Sequence, residues 1–167
     1  MKKTIIIMVT NLILSIFLAG CEDFLDESVS RDKIFSYVQA NYIELEKFSY
    51  NEIKEFNSLK PGKNMEMKNE HEEKVIREHL GDDTIVRSVY DYNEDILDFF
   101  CGGSGIVTSS VYTGFYFSKE DIPYTFEFDD AKLTEIEEGV FEWDGGGRKI
   151  HTEKIMDHWW YYEKVWR

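Results

Sequence analysis

The chain has 167 residues, which is enough for one globular domain with a core of its own. Asp and Glu number 33 against 19 Lys and Arg, so the formal net charge is −14 at pH 7. Nucleic acids and anionic lipid headgroups repel such a chain, and the composition therefore argues against a nucleic-acid-binding protein. The negative charge favours partners of positive charge. The alternative is that it serves only to keep the protein soluble.

The first twenty residues have the composition of an export signal. Lys2 and Lys3 give a positive start, Ile5–Leu18 is apolar apart from three polar residues, and the small residues Ala19 and Gly20 follow. That order is typical of a secretory signal peptide. The apolar run is shorter than the roughly 20 residues of a membrane-spanning helix, so the sequence predicts export without a transmembrane anchor.

The leader ends in Leu18-Ala19-Gly20-Cys21, which resembles the lipobox of bacterial prolipoproteins at every position. The resemblance implies cleavage before Cys21, diacylglycerol on its sulfur, and a place on the outer side of the cell membrane. Two acyl chains hold a protein firmly, whereas one chain alone gives only marginal binding. We therefore expect a signal peptide over residues 1–20, and a lipidated cysteine with an acidic tether over residues 21–30.

Removal of the leader makes the net charge more negative and leaves two cysteines with different expected roles. The leader contains two basic residues and no acid, so the mature chain has 17 Lys and Arg against 33 acids, a formal charge of −16. If lipid occupies the sulfur of Cys21, Cys101 has no partner for a disulfide within the chain. Cys101 stands between Phe100 and Gly102, and we predict a buried, unreactive thiol there.

The first half of the mature chain is helical in pattern. Residues 31–58 carry apolar side chains at steps of three and four, the period of a helix. Ser49-Tyr50-Asn51-Glu52 matches a capping box, so the region is predicted to form either one long helix or two with a break near Ser49. Residues 65–80 predict a further helix, with Gly81 at its C-cap.

After Gly81 the chain is rich in β-branched and aromatic residues between short turns. Gly102–Gly105 is predicted as a loop, Gly114 as a bulge within a strand, and Asp144–Gly147 as a hairpin turn. A helical turn over 152–157 is an alternative to a strand there. The predicted strands are Thr84–Tyr92, Ile96–Cys101, Ile106–Phe117, Tyr124–Phe128, Leu133–Glu137, Val140–Trp143, Arg148–Met156 and Trp159–Trp166.

This order of elements, helices first and strands afterwards, predicts an α+β fold. We expect a single domain over residues 31–167, with helices in 31–80 packed on one face of a sheet in 84–166. The sheet is predicted to be mainly antiparallel, a meander of about five to seven strands, because no βαβ alternation is present. Gly105–Tyr124 resembles small uncharacterised lipoproteins of Gram-positive bacteria, and that resemblance implies no function.

The sequence predicts no catalytic residue, no metal site and no cofactor. His71-Glu72-Glu73-Lys74 begins like the helix of a zinc protease, but Val75 stands where the second histidine belongs. Asp91 begins a run like a calcium loop, but Ile96 and Gly102 occupy positions that require Gly and Glu. Neither motif is complete.

Aromatic residues are the one unusual feature of the second half. Five of them form the candidate ligand-binding set: Tyr112, Tyr116, Trp143, Trp159 and Trp160. If these rings are exposed, they provide a platform that stacks on sugars or holds a cationic peptide. If they are buried, they form a two-sided core under the helices.

Three functional hypotheses follow. The first is a membrane-anchored binding module for a cationic protein or peptide, of the inhibitor or immunity type. The second is a module that binds cell-wall glycan through exposed aromatic rings. The third, which has the least support, is a hydrolase working through carboxylates.

Overall fold

A computed structural model describes residues 29–57, 74, 76–78, 80, 85–91, 94–106, 109–126 and 131–167. One long helix, α1, spans Arg31–Asn57, and seven strands follow it in the chain. The strands are β1 (Ile85–Asp91), β2 (Glu94–Ile106), β3 (Ser109–Ser118), β4 (Thr134–Glu137), β5 (Val140–Gly145), β6 (Arg148–Met156) and β7 (Trp159–Trp166). The predicted signal peptide, Cys21 and the predicted tether up to residue 28 lie outside the described residues.

Helix α1 is continuous through Ser49, so the alternative of a single helix is confirmed. The capping-box interpretation is wrong, because Ser49 lies in the helix interior and is fully buried. Leu45, Phe48 and Ile53 continue the same buried face on both sides of it. Packing of this face against the sheet outweighs the local preference of serine for a helix terminus.

A second helical segment is described only in part. Lys74, Ile76–Glu78 and Leu80 are helical, while the rest of the predicted helix 65–80 lies outside the described residues. Ile76 and Leu80 are buried in the same core as α1. The Lys33 ammonium donates a hydrogen bond to the Leu80 carbonyl oxygen at 3.3 Å, which joins this segment to the start of α1.

The seven strands form one antiparallel sheet in the order β1-β2-β3-β7-β6-β5-β4. The predicted α+β fold, with helix on an antiparallel sheet, is confirmed. The sheet consists of two meanders, β1 to β3 and β4 to β7, which are joined where β3 pairs with β7. The chain therefore has to travel from the middle of the sheet to its far edge between β3 and β4.

Alternation along β3 and β7 divides the aromatic residues between the two faces of the sheet. Phe115, Phe117, Trp159 and Tyr161 point to α1, on what we call the helix face. The residues between them point the other way, to what we call the aromatic face; they are Tyr116, Trp160 and Tyr162. Both faces of the central strands are buried.

Three local predictions from glycine or alternation are wrong. Gly102–Gly105 belongs to β2, where the register shifts between Phe100 and Gly103, and does not form a loop. Gly114 pairs with Phe100 and Tyr162, and the register shift beside it is in β2, between Phe100 and Gly103, so the irregularity lies on the partner strand and not at Gly114. Tyr124–Phe126 is irregular and not a strand, because its aromatic side chains pack down on the sheet; residues 127–130 lie outside the described residues.

The predictions for the last two strands are confirmed. Arg148–Met156 and Trp159–Trp166 are strands with the predicted bounds, so the alternative helical turn over 152–157 is wrong. The hairpin predicted at Asp144–Gly147 turns at Gly146 and Gly147. Both glycines have positive φ, 61° and 80°, which a two-residue hairpin turn requires.

The buried hydroxyl of Ser49 generates a stability prediction. Its Oγ has no hydrogen-bond partner among the described residues, so Ser49→Ala removes an unsatisfied polar group and improves helix propensity. We expect the free energy of unfolding to rise by about 1 kcal/mol, measured by chemical denaturation. Ser36→Ala on the exposed side of α1 is the control for propensity alone. A destabilised Ser49→Ala protein would show that the hydroxyl has a partner.

Candidate functional site

The aromatic face has its own cover, which is the chain between β3 and β4. We call Lys119–Phe126 the strap. Tyr124 and Phe126 of the strap pack on Tyr116, Trp160 and Tyr162 of the sheet. The Phe126 ring centroid lies 4.9 Å from that of Tyr162 and 5.2 Å from that of Tyr116. The strap therefore buries the middle of the aromatic face, as α1 buries the helix face.

A chain of hydrogen bonds ties the strap to the sheet. The backbone N–H of Tyr124 donates to the Tyr116 hydroxyl at 2.8 Å, and the Tyr116 and Thr152 hydroxyls are 2.9 Å apart. Thr152 donates its own hydroxyl proton to the Tyr161 carbonyl oxygen at 2.8 Å, so Tyr116 is the donor to Thr152. Tyr116 and Thr152 are fully buried, and each bond satisfies a group that would otherwise lose its contact with water.

The strap begins at an ion pair that we call the Asp121 latch. The carboxylate of Asp121 accepts one hydrogen bond from the Lys154 ammonium at 2.6 Å and another from the His158 backbone N–H at 2.9 Å. Its own N–H donates to the Ser118 carbonyl oxygen at 3.0 Å. Asp121 has a φ of 55°, a left-handed conformation that aspartate tolerates better than most residues.

The pKa of the Asp121 carboxyl reflects these contacts. Partial burial by itself raises that pKa, but the hydrogen bonds from Lys154 and from the His158 N–H lower it further than burial raises it. The net pKa is below the ordinary value for aspartate. The carboxylate is therefore charged at neutral pH and holds the strap against the turn between β6 and β7.

Three of the five candidate ligand-binding residues are buried. Tyr116 and Trp160 lie on the aromatic face beneath the strap, and Trp159 lies on the helix face among Phe99 and Phe115. The expectation that these three rings form an exposed platform is wrong, and the alternative of a two-sided core is confirmed for them. Adjacent residues of a strand point to opposite faces, so Trp159 and Trp160 cannot share one surface.

The other two candidates, Tyr112 and Trp143, lie on the aromatic face and are partly exposed. Each ring lies close over a glycine. A Cβ added to Gly103 would be 2.6 Å from the Tyr112 ring, and one added to Gly145 would be 2.8 Å from the Trp143 ring. Because these glycines have no side chain, there is room for the two rings directly beside the backbone at these positions.

Residues that sequence reasoning missed complete this surface. Trp166 of β7 lies beside Tyr112, with ring centroids 5.7 Å apart, and is 43% exposed. The Arg148 guanidinium lies 4.9 Å from the centre of the Trp166 ring. The Lys164 ammonium lies 4.0 Å from the centre of the Phe126 ring. The sequence did contain a signal for Trp166. Tyr162, Lys164 and Trp166 follow one another at steps of two residues, so they lie on the same face of a strand.

Two acids on the helix face, Glu142 and Glu153, have cationic partners. Glu142 accepts a hydrogen bond from Lys149 at 2.7 Å, which lowers the pKa of its carboxyl below the ordinary value. Glu153 is held by Arg31 at the start of α1, whose Nε donates to it at 2.8 Å. These carboxylates stabilise the domain and already have cationic partners.

Strand β4 is one of the two edge strands of the sheet. All four of its residues are exposed, including Ile136 at 51%. Glu135, Glu137 and Glu138 put three carboxylates on four consecutive positions. Within the described ranges β4 pairs only with β5, so its outer backbone edge is open. We call Glu135–Glu138 the acidic edge.

The thiol of Cys101 and the grouping of His, Cys, Asp and Glu side chains bear on thiol and metal chemistry in the described part of the chain. Cys101 is buried as predicted, and burial raises the pKa of its thiol far above the ordinary range, so the reactive thiolate does not form. Within the described ranges no three His, Cys, Asp or Glu side chains meet in the manner of a metal site. Among those same residues, no helix has the length and apolar composition needed to cross a bilayer.

Comparison with known proteins gives no family. No protein-family model, no curated protein and no solved structure matches this chain.

The Asp121 latch generates a prediction about pH. Since the folded-state pKa of Asp121 lies below the unfolded value of roughly 3.9, its stabilisation is present above that value. The stabilisation is lost as the pH falls through the folded pKa. Asp121→Asn keeps an acceptor for the His158 N–H but removes the charge facing Lys154.

We expect the Asp121→Asn protein to be less stable than the wild type by about 1 kcal/mol at pH 7, and the difference to be smaller at pH 3, below the unfolded pKa of roughly 3.9, measured by urea unfolding. Asp157→Asn is the matched control. Asp157 pairs with the same Lys154 at 3.3 Å, but its side chain is 87% exposed and contributes little. A difference between wild type and Asp121→Asn that is the same at both pH values would show that the charge has no role.

Proposed function

We propose that this protein is a lipoprotein held on the outer side of the cell membrane by lipid on Cys21, where it binds a cationic protein or peptide. The lipobox supports the anchor, and a mature charge of −16 supports the sign of the partner. One observation carries the binding site: the open strand edge of β4 coincides with the acidic edge. An inhibitor or immunity-type role is consistent with such a partner.

The acidic edge supplies three kinds of contact to an extended basic segment. The backbone of β4 pairs with it as an added strand, and Ile136 offers an exposed apolar contact. The carboxylates of Glu135 and Glu137 lie on opposite faces of the sheet, so each faces a Lys or Arg side chain on its own face of the added strand. The carboxylates of β4 disfavour pairing with a neutral or acidic strand, because only a basic strand offsets their charge. Selectivity for a basic strand follows from those same features.

The anchor is tested by replacing the cysteine that carries it. In a bacterial host that processes lipoproteins, we expect the wild-type protein in the detergent phase of a Triton X-114 extraction. Cys21→Ser should leave it in the aqueous phase, because the acyl chains supply the membrane affinity. Cys101→Ser is the control and should remain in the detergent phase. Mass spectrometry of the N-terminal peptide identifies the lipid, and an unmodified Cys21 would contradict the proposal.

The binding site is tested with a defined probe, a ten-residue peptide of alternating Lys and Val. The full-length lipoprotein is placed in phosphatidylcholine nanodiscs, and peptide binding is followed by fluorescence anisotropy in a salt series. We expect binding to weaken about tenfold between low and high salt, because the contacts are exposed ion pairs. Methylation of alternate backbone nitrogens of the peptide should abolish binding, since it removes the donors that pair with β4.

Matched charge variants separate the acidic edge from the general charge of the protein. Glu137→Gln with Glu138→Gln removes two charges from the edge, and Glu44→Gln with Glu46→Gln removes two from α1. We expect the first pair to raise the Kd about fivefold, and the second less than twofold, because each exposed pair is worth only a fraction of a kcal/mol. Equal losses from the two pairs would show that no specific edge site exists.

A further inference from the structure

We propose that the acidic edge recognises two adjacent basic residues in an extended segment of its partner, one on each face of the sheet. This proposal rests on the binding site proposed above and names the sequence feature that the site selects. Two observations on β4 carry it: the shift in its register with β5, and exposed carboxylates that have no cationic partner in the described part of the chain.

The register of β4 turns its two acids to opposite faces of the sheet. Residues two positions apart on a regular strand share a face. Between Glu135 and Glu137, however, the pairing shifts, because Ile136 is an extra residue in β4. The two acids therefore lie opposite adjacent residues of β5, Phe141 and Val140. Since Phe141 packs on the aromatic face, Glu135 lies on that face and Glu137 on the helix face.

A strand added on the open side of β4 meets the same extra residue. Directly opposed residues of two paired strands lie on the same face of a sheet. The residues of an added strand that oppose Glu135 and Glu137 are therefore an odd number of positions apart, and the nearest such pair is two adjacent residues. A segment with Lys or Arg at two adjacent positions places one cation beside each carboxylate. A segment with alternating basic residues, all on one face, places a cation beside only one.

Both carboxylates keep a charge that the domain does not neutralise. Among the described residues neither Glu135 nor Glu137 has a cationic partner, whereas Glu142 and Glu153 on the neighbouring strands each have one. Glu135 accepts a hydrogen bond from the Gly139 N–H at 3.2 Å, but that donor is neutral and uses one of its two oxygens. Both side chains are exposed, so a cation of the partner reaches them while it stays hydrated.

A second copy of this chain is the competing occupant of the acidic edge. Pairing of β4 with β4 of another copy would bring carboxylates together, and like charges destabilise cross-strand pairs. Strand β1 is the other edge strand, and its residues Ile85–Asp91 include one Arg and no Lys. A basic pair does occur at Arg148-Lys149, but it lies in β6, between β5 and β7. Charge therefore favours a segment of a different protein.

The test compares two peptides that differ only in the order of their residues. The first is the alternating peptide of Lys and Val described above, and the second has the same composition, reordered so that lysines stand next to one another in pairs. Their net charge is equal, so the negative domain as a whole attracts both alike. Each is titrated with the full-length lipoprotein in phosphatidylcholine nanodiscs. We expect the paired peptide to bind about fivefold more tightly, because it makes a second exposed ion pair.

Single charge variants locate the source of that preference. Glu137→Gln removes the carboxylate on the helix face, so we expect the preference for the paired peptide to fall to about twofold or less. Glu135→Gln should have the same effect, while its amide oxygen still accepts from the Gly139 N–H. Glu138→Gln is the matched control, because Glu138 lies in the turn after β4 and should affect both peptides alike. Circular dichroism confirms that each variant is folded.

The outcomes separate this proposal from the binding site on which it rests. If the wild-type protein binds both peptides equally, the edge attracts cations without selecting adjacent residues, and only the present proposal is overturned. If neither peptide binds, the site itself is wrong and both proposals fail. Analytical ultracentrifugation in detergent tests for the second copy: a wild-type dimer that the paired peptide dissociates would assign the edge to self-association and overturn the proposal of a different partner.

Discussion

Four consecutive aromatic residues in β7 set the main constraint on this fold. Trp159, Trp160, Tyr161 and Tyr162 are each at most 3% exposed, although alternate residues point to opposite faces of the sheet. A strand that is apolar on both faces has to lie in the middle of a sheet with a cover on each side. Helix α1 provides one cover and the strap provides the other. Without either, two large rings would be exposed to water.

The topology explains why the strap lies where it does. Because β7 pairs with β3, three strands separate β3 from β4 in the sheet, although the two are consecutive in the chain. The fifteen residues between Ser118 and Thr134 must cross those strands, a distance of about 19 Å at the usual strand spacing. The strap begins that crossing over Tyr116 and Trp160. One connection thus reaches the far edge of the sheet and completes the core, and the Asp121 latch fixes where it starts.

Local sequence patterns predicted those elements whose structure is decided locally. The bounds of β6 and β7 follow from their runs of strand-forming residues and from the glycines of the hairpin before β6. Patterns failed where the deciding contact is distant in sequence. Tyr124 and Phe126 alternate as in a strand, but they fill a surface made by β3 and β7. The glycines of 102–105 look like a loop, yet Gly103 makes room for the ring of Tyr112 from the neighbouring strand.

For the candidate surfaces too, the residue types can be read from the sequence, whereas their burial depends on contacts that are distant in the chain. Tyr112 and Trp143 were identified from residue type alone, but which rings are buried depends on the strap, whose position no local pattern encodes. The sequence places acids and aromatic residues side by side, whereas the structure separates them. The partly exposed rings lie beside Arg148 and Lys164, and the exposed carboxylates lie on β4. A single ligand held by acids and rings together is therefore not supported by the geometry.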